Sequence, residues 1–217
     1  ACAPRVFVVP TYPDAPRLDL VDDLHGRPVP DPYRWLEDKD DERTLAWSAA
    51  QDELMDAERA QWTATDRFRE HITELLQGGF VSPPYRRGER TFFMRRTGDQ
   101  QFPVLWTIDP DGTERVLIDP IALDPAGLTT LDSWQPSKEG DLLAYQLSEG
   151  GTEESIVRVM DVATGEVVDG PIDRARYSPI AWVPGGKAYF YVRRLAADLV
   201  PDGEDQSHRR VWLHGLG

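Results

Sequence analysis

The chain has 217 residues, 40% of them apolar and seven of them tryptophan, enough for one large hydrophobic core or two small ones. Its 38 acidic residues outnumber 24 basic ones, and the resulting formal charge of −14 repels polyanions, so nucleic acid is excluded as a partner. A surface this acidic either keeps a cytoplasmic protein in solution or draws in cationic peptides.

The single cysteine, Cys2, has no partner for an internal disulfide, so nothing argues for an oxidising compartment and the expected location is cytoplasmic. Val6-Phe7-Val8-Val9 is apolar but is stopped at once by Pro10. It is far short of the roughly 7–15 residues of a signal-peptide core or the about 20 of a membrane span, so no membrane partner is expected.

From Thr11 to Glu37 the chain is dense in proline and aspartate (Tyr12-Pro13-Asp14, Pro28-Val29-Pro30-Asp31-Pro32), which removes backbone donors and disfavours helix. This stretch reads as an extended lead-in that packs on something else. Asp40-Asp41-Glu42 then places acid at a helix start, and Trp47, Ala50, Leu54 and Ala57 follow at spacings of three and four. A second amphipathic helix is predicted from about Thr65, with Phe68, Ile72, Leu75 and Leu76 on one face and Gly78-Gly79 as its stop.

After Gly79 the period changes. Short aromatic and β-branched runs alternate with turn signals such as Asp111-Gly112 and Thr164-Gly165, which predicts antiparallel hairpins and no helix of ordinary length. The expected division is therefore an extended and α-helical segment over 1–79 and an all-β part over 80–217.

The β part repeats itself. Gly88-Glu89-Arg90-Thr91-Phe92-Phe93 is answered by Gly140-Asp141-Leu142-Leu143-Ala144-Tyr145 and by Gly186-Lys187-Ala188-Tyr189-Phe190-Tyr191, at intervals of about 50 residues. Trp134 to Glu139 and Trp182 to Gly185 precede the second and third units. Such a period, with roughly four short strands per unit, matches β-propeller blades, the competing reading being an ordinary β-sandwich. Three blades do not close a ring, so the expected fold is mainly β, a partial, unclosed propeller of about three blades.

The search for chemistry is mostly negative. None of Ser48, Ser82, Ser133, Ser137, Ser148, Ser155, Ser178 and Ser207 has the preceding glycine of a G-x-S-x-G nucleophile elbow. His25, His71, His208 and His214 show no metal-ligand spacing, and His25, His71 and His208 read as turn, surface or capping, and solvated residues respectively. Asp109-Pro110-Asp111-Gly112 lacks the later ligands of a calcium loop and reads as a hairpin turn. No catalytic residue, metal ligand or cofactor is expected within these residues.

The lead-in carries a more specific signal. Tyr12-Pro13, Asp23-Leu24-His25-Gly26 and Val29-Pro30-Asp31-Pro32-Tyr33-Arg34-Trp35-Leu36-Glu37-Asp38 resemble the opening of the prolyl oligopeptidase family of serine peptidases. The likeness continues through Thr44 to Gln51, Arg87-Gly88 to Phe92-Phe93, Gly98-Asp99-Gln100-Gln101, Leu117-Ile118-Asp119-Pro120, Ser137-Lys138-Glu139-Gly140 and Leu147-Ser148-Glu149-Gly150-Gly151. It departs at Gly151-Thr152-Glu153-Glu154, where relatives often have Gly-Ser-Asp-Trp, and at Leu24, where they have tyrosine; residues before Pro10 match nothing in the family.

The resemblance implies a parent in which a propeller is joined to an α/β-hydrolase peptidase domain that carries the triad, the N-terminal segment packing on that domain. It implies short peptides as substrates, cleaved after proline, with the propeller gating access; a non-catalytic propeller that binds partners and a peptidase acting after basic residues are the alternatives. Two substrate-binding positions carry over. Tyr177, in Arg176-Tyr177-Ser178-Pro179, matches an aromatic residue that lines the pocket upstream of the scissile bond, or else packs between blades. Glu153 matches an acidic position near the active-site face, poised to pair with a basic group of the peptidase domain, or else is a solvated loop residue. On this reading the chain ends inside a third blade and leaves an open blade edge.

Overall fold

The computed structural model describes residues 9–217, so Cys2 and the start of the Val6 to Val9 run lie outside the described residues. The chain divides into two compact units, residues 1–72 and 73–217. Among the described residues no helix is long and apolar enough to cross a membrane.

In the first unit the proline-rich lead-in folds back on itself as a two-stranded antiparallel hairpin, β1 (Val21–Leu24) and β2 (Arg27–Pro30), in register from Val21 opposite Pro30 to Leu24 opposite Arg27. The two-residue loop is His25-Gly26, both with positive φ (57° and 79°), the primed geometry whose twist suits a hairpin. Asp23 Oδ1 accepts the Gly26 N–H at 2.6 Å and completes the turn. The hairpin escapes a sequence reading because histidine replaces the usual Asn or Asp before the glycine.

A single 3-10 turn, Arg34–Glu37, buries Trp35. The indole N–H donates to the Pro16 carbonyl at 2.9 Å, and Thr44 Oγ1 donates to the Trp35 carbonyl at 2.7 Å, which ties the lead-in to α1 (Glu42–Arg59). Asp41 caps that helix by accepting the Arg43 N–H at 2.8 Å. The less exposed stripe of α1 is Thr44, Trp47, Ala50, Gln51, Leu54 and Glu58. Ala57, expected on this stripe, is exposed, because a 3.6-residue period counted from Thr44 reaches position 58.

The boundary between the units falls inside α2 (Thr65–Leu76). The apolar residues Phe68, Ile72, Leu75 and Leu76 are all exposed. Gly79, φ +63°, serves more than a helix stop: a Cβ there would lie 2.4 Å from the Arg96 carbonyl oxygen, because the next residue, Phe80, pairs with Arg96.

The second unit is three antiparallel sheets in chain order. The first contains β3 (Phe80–Val81), β4 (Tyr85–Arg87), β5 (Arg90–Arg96), β6 (Val104–Ile108) and β7 (Glu114–Ile118), with β3 and β4 both pairing one edge of β5. A short α3 (Pro120–Leu123), capped by Asp119, leads to the second sheet: β8 (Thr129–Pro136), β9 (Leu142–Glu149), β10 (Ile156–Asp161) and β11 (Val167–Ile172). The third has β12 (Ala181–Trp182), β13 (Ala188–Arg194) and β14 (Arg209–Gly215). The three predicted repeats begin at the turns leading into β5, β9 and β13, the equivalent strand of each sheet, and the fold is the expected mainly β, unclosed partial propeller.

Period-two alternation explains how the sheets stack. On β9, Leu143 and Tyr145 join Phe92, Leu105 and Ile118 of the first sheet in one cluster, while Ala144 joins Trp182, Tyr189 and Tyr191 of the third in another. Both faces of the middle sheet are thus buried, at roughly 1.5–3 kcal/mol for each large apolar side chain. Polar links follow the same route: Gln135 Nε2 donates to the Tyr85 hydroxyl at 3.1 Å, and Trp182 Nε1 donates to the Gln135 carbonyl at 2.9 Å. Arg90 pairs with Asp109 of its own sheet at 2.9 Å and with Asp141 of the next at 2.8 Å.

Two of the three repeat glycines have a shared steric reason. Gly88 and Gly140 face each other across adjacent sheets: a Cβ on Gly88 would stand 2.0 Å from the Glu139 carbonyl oxygen, and one on Gly140 would stand 2.4 Å from that of Arg87. The Asp109 to Gly112 segment is the hairpin turn, closed by the Gly112 N–H to the Asp109 carbonyl at 2.9 Å, with the Asp109 carboxylate taken by Arg90 and Arg115.

Candidate functional site

Glu149-Gly150-Gly151 opens the loop from β9 to β10, with both glycines at positive φ (63° and 69°), so the chain turns sharply before Glu153. Glu153 itself is left-handed (φ 58°), as is Tyr177 (φ 54°) in the connection from β11 to β12. Two non-glycine residues in this region, each costing about 1–2 kcal/mol, are held by bonds around them. The Ala175 N–H donates to the Ser155 carbonyl at 3.2 Å and the Ser178 N–H to the Ala175 carbonyl at 2.9 Å, which lays the second segment against the first.

Tyr177 and Glu153 meet. The Tyr177 hydroxyl donates to Glu153 Oε2, and the same oxygen accepts from Arg176 Nη2 at 2.5 Å. The Tyr177 hydroxyl and then the Arg176 guanidinium hold the Glu153 carboxyl below the usual carboxylate range. Tyr177 is 65% exposed, so its ring is presented to solvent and is not wedged between sheets. The basic group beside Glu153 is Arg176 of this chain, stacked near the Tyr177 ring with its guanidinium carbon 5.0 Å from the centroid.

Both residues line a cavity of 470 Å³ with Asp132, Ser133, Gln146, Ser155, Ser178 and Pro179. Its floor is polar and closely bonded. Gln146, fully buried, donates through Nε2 to the Ser178 carbonyl at 2.7 Å, and Ser178 Oγ accepts the Val192 N–H at 2.8 Å. Asp132 accepts from the Ser155 hydroxyl at 2.6 Å and the Thr130 hydroxyl at 2.8 Å. Chemically this is a binding surface, an exposed aromatic ring over a rim that carries one fixed ion pair, with no nucleophile beside a base.

Sequence reading finds Tyr177 and Glu153 but misses Arg176, Gln146, Asp132 and Ser155. Gln146 was detectable as the one amide inside the otherwise apolar run Leu142 to Leu147, where a buried polar group must find a partner. Arg176, Asp132 and Ser155 carry no such signal, because their roles depend on which loops meet. The histidines lie elsewhere: His208 contacts Glu204, and His214 Nε2 is 2.8 Å from Asp169 Oδ2. Among the described residues no group of three His, Cys, Asp or Glu side chains could hold a metal ion.

Comparison with known proteins adds the following. Residues 13–217 match the family model described as prolyl oligopeptidase, N-terminal β-propeller domain. A prolyl endopeptidase of Elizabethkingia meningoseptica is 30% identical over 208 residues, covering 95% of this chain and 29% of that protein. Prolyl oligopeptidase A of Galerina marginata is 30% identical over 240 residues, covering 95% and 32%. A solved prolyl endopeptidase structure superposes with a TM-score of 0.82 at 30% identity, covering 95% of this chain and 31% of that one. The chain thus spans about a third of the length of the relatives it matches.

Proposed function

The chain belongs to the prolyl oligopeptidase N-terminal β-propeller family, and we propose on that premise that the protein carrying it is a cytoplasmic serine oligopeptidase that hydrolyses short peptides after proline. Residues 1–79 pack on an α/β-hydrolase domain that supplies the triad, and the blades restrict access to flexible peptides while excluding water from the chemistry. Tyr177 lines the pocket for substrate residues upstream of the scissile bond, and Glu153 serves the same binding surface as an acidic group near the active-site face. The observation that carries this reading is the convergence of Tyr177 and Glu153 on one 470 Å³ cavity, with the ring of Tyr177 exposed. The names of the relatives, prolyl endopeptidase and prolyl oligopeptidase, support the substrate class.

Steady-state hydrolysis by the full-length protein of matched peptides containing proline, arginine or neither tests it. The expected result is a preference for proline of roughly 100-fold or more in kcat/KM, as specificity set by transition-state binding allows. Hydrolysis favouring arginine would move the protein to a basic-residue specificity, and no hydrolysis of any peptide would make it a non-catalytic binding propeller.

A further inference from the structure

Every arginine from Arg86 to Arg210 makes a hydrogen bond or ion pair, except one. Arg158 has none among the described residues, although it is partly buried on β10. Its guanidinium is still reached by water, and all its donors are free for an acceptor that a ligand brings. Arg158 lines a cavity of 550 Å³, within the range of ligand pockets.

This cavity shares no residue with the one at Tyr177. The separation follows from strand geometry, since Tyr145 and Leu147 face one side of β9 and Gln146 the other. Leu123, Leu147, Ile156 and Val167 give it apolar walls, and Tyr145, itself buried, stands opposite Arg158 on the paired strand. Glu149 and Glu154 lie at its rim, Glu154 already held by Arg194.

We propose that this cavity is a second binding site, which takes the free C-terminal carboxylate of a short apolar peptide, Arg158 holding the carboxylate in its planar fork and the apolar walls holding the last side chains. A single carboxylate matches one unpaired guanidinium. The two rim glutamates disfavour a phosphate, which carries more negative charge. The site does not depend on the peptidase reading, because it requires binding and no hydrolysis.

The test is calorimetric titration of the full-length protein with N-acetyl-Leu-Leu as the free acid, as its C-terminal amide, and with inorganic phosphate. The free acid should bind at least about 10-fold more tightly than the amide, the range of one charge-assisted hydrogen bond. Arg158→Gln should remove that difference, Arg158→Lys should keep part of it, and Tyr177→Ala should leave it intact, with far-UV circular dichroism confirming that each variant is folded. Equal binding of acid and amide, preference for phosphate, an unchanged Arg158→Gln protein, or loss in Tyr177→Ala would each overturn the proposal.

Discussion

The buried side-chain amide of Gln146, on the central strand of the second sheet, donates to the carbonyl oxygen of Ser178 across 2.7 Å, one residue after Tyr177. The strained Tyr177 backbone is therefore held from below by the core of a neighbouring blade. The exposed ring is a surface feature with a buried support.

Gln146→Leu tests that support. It keeps most of the volume but strands the Ser178 carbonyl, a loss of about 1–3 kcal/mol. The melting temperature should fall. Under the proposed function, KM for peptide substrates should rise more than kcat changes, because only placement of Tyr177 is altered. A variant with unchanged melting and KM would show that the bond holds nothing in place.

The Glu153 contact makes a separate prediction with a defined pH window. Its folded carboxyl lies below the unfolded value of 4.5, so the tether to Tyr177 and Arg176 is complete above that value and is lost as pH falls through the folded one. Glu153→Gln should remove this acid-side step while leaving both loops in place. Measuring Tyr177 ring signals by NMR between neutral and acid pH would show the step in the parent protein and its absence in the variant.

Asp41 provides a second titration, in the first unit. Its carboxyl is lowered from 3.8 to about 2, first by the Arg43 side chain and then by the Arg43 backbone N–H it caps. The stability it adds is complete above about pH 4 and disappears as pH falls toward 2. Asp41→Asn keeps an acceptor at the cap but removes the charge, so helicity of α1 should become less dependent on pH in that window. Circular dichroism of both proteins from pH 5 to pH 2 checks it, within the roughly four-unit span over which such a group titrates.

Gly88 and Gly140 should be costly to change for a reason their φ angles alone do not supply. Gly88 and Gly112 both have positive φ (53° and 86°), but a Cβ on Gly88 would strike the Glu139 carbonyl at 2.0 Å, whereas one on Gly112 meets nothing within 4 Å. Gly112→Ala should cost about 1 kcal/mol of backbone strain, and Gly88→Ala distinctly more, because two sheets must separate. Chemical denaturation of the two variants compares them directly; equal losses would show that the sheets yield without penalty.

Much of this was visible in the residues. Local periodicity marks α1 and α2, the turn pairs Asp111-Gly112 and Thr164-Gly165 mark hairpins, and recurrence of Gly88, Gly140 and Gly186 marks a repeat. These signals act over a few residues or at a fixed spacing. Tyr177 and Glu153 were found through family resemblance, since nothing in their neighbours along the chain sets them apart.

What the sequence determined by itself is the order and type of elements, because helix and strand periods, caps and turn residues are local consequences of side-chain chemistry. The tertiary structure alone decided that Glu153 and Tyr177 share one carboxylate contact, that Gln146 supports them from the adjacent sheet, and that Arg158 is left without an acceptor. Pairings of this kind depend on which loops are brought together when β9 buries both of its faces between neighbouring sheets, and a one-dimensional pattern carries no record of that distance.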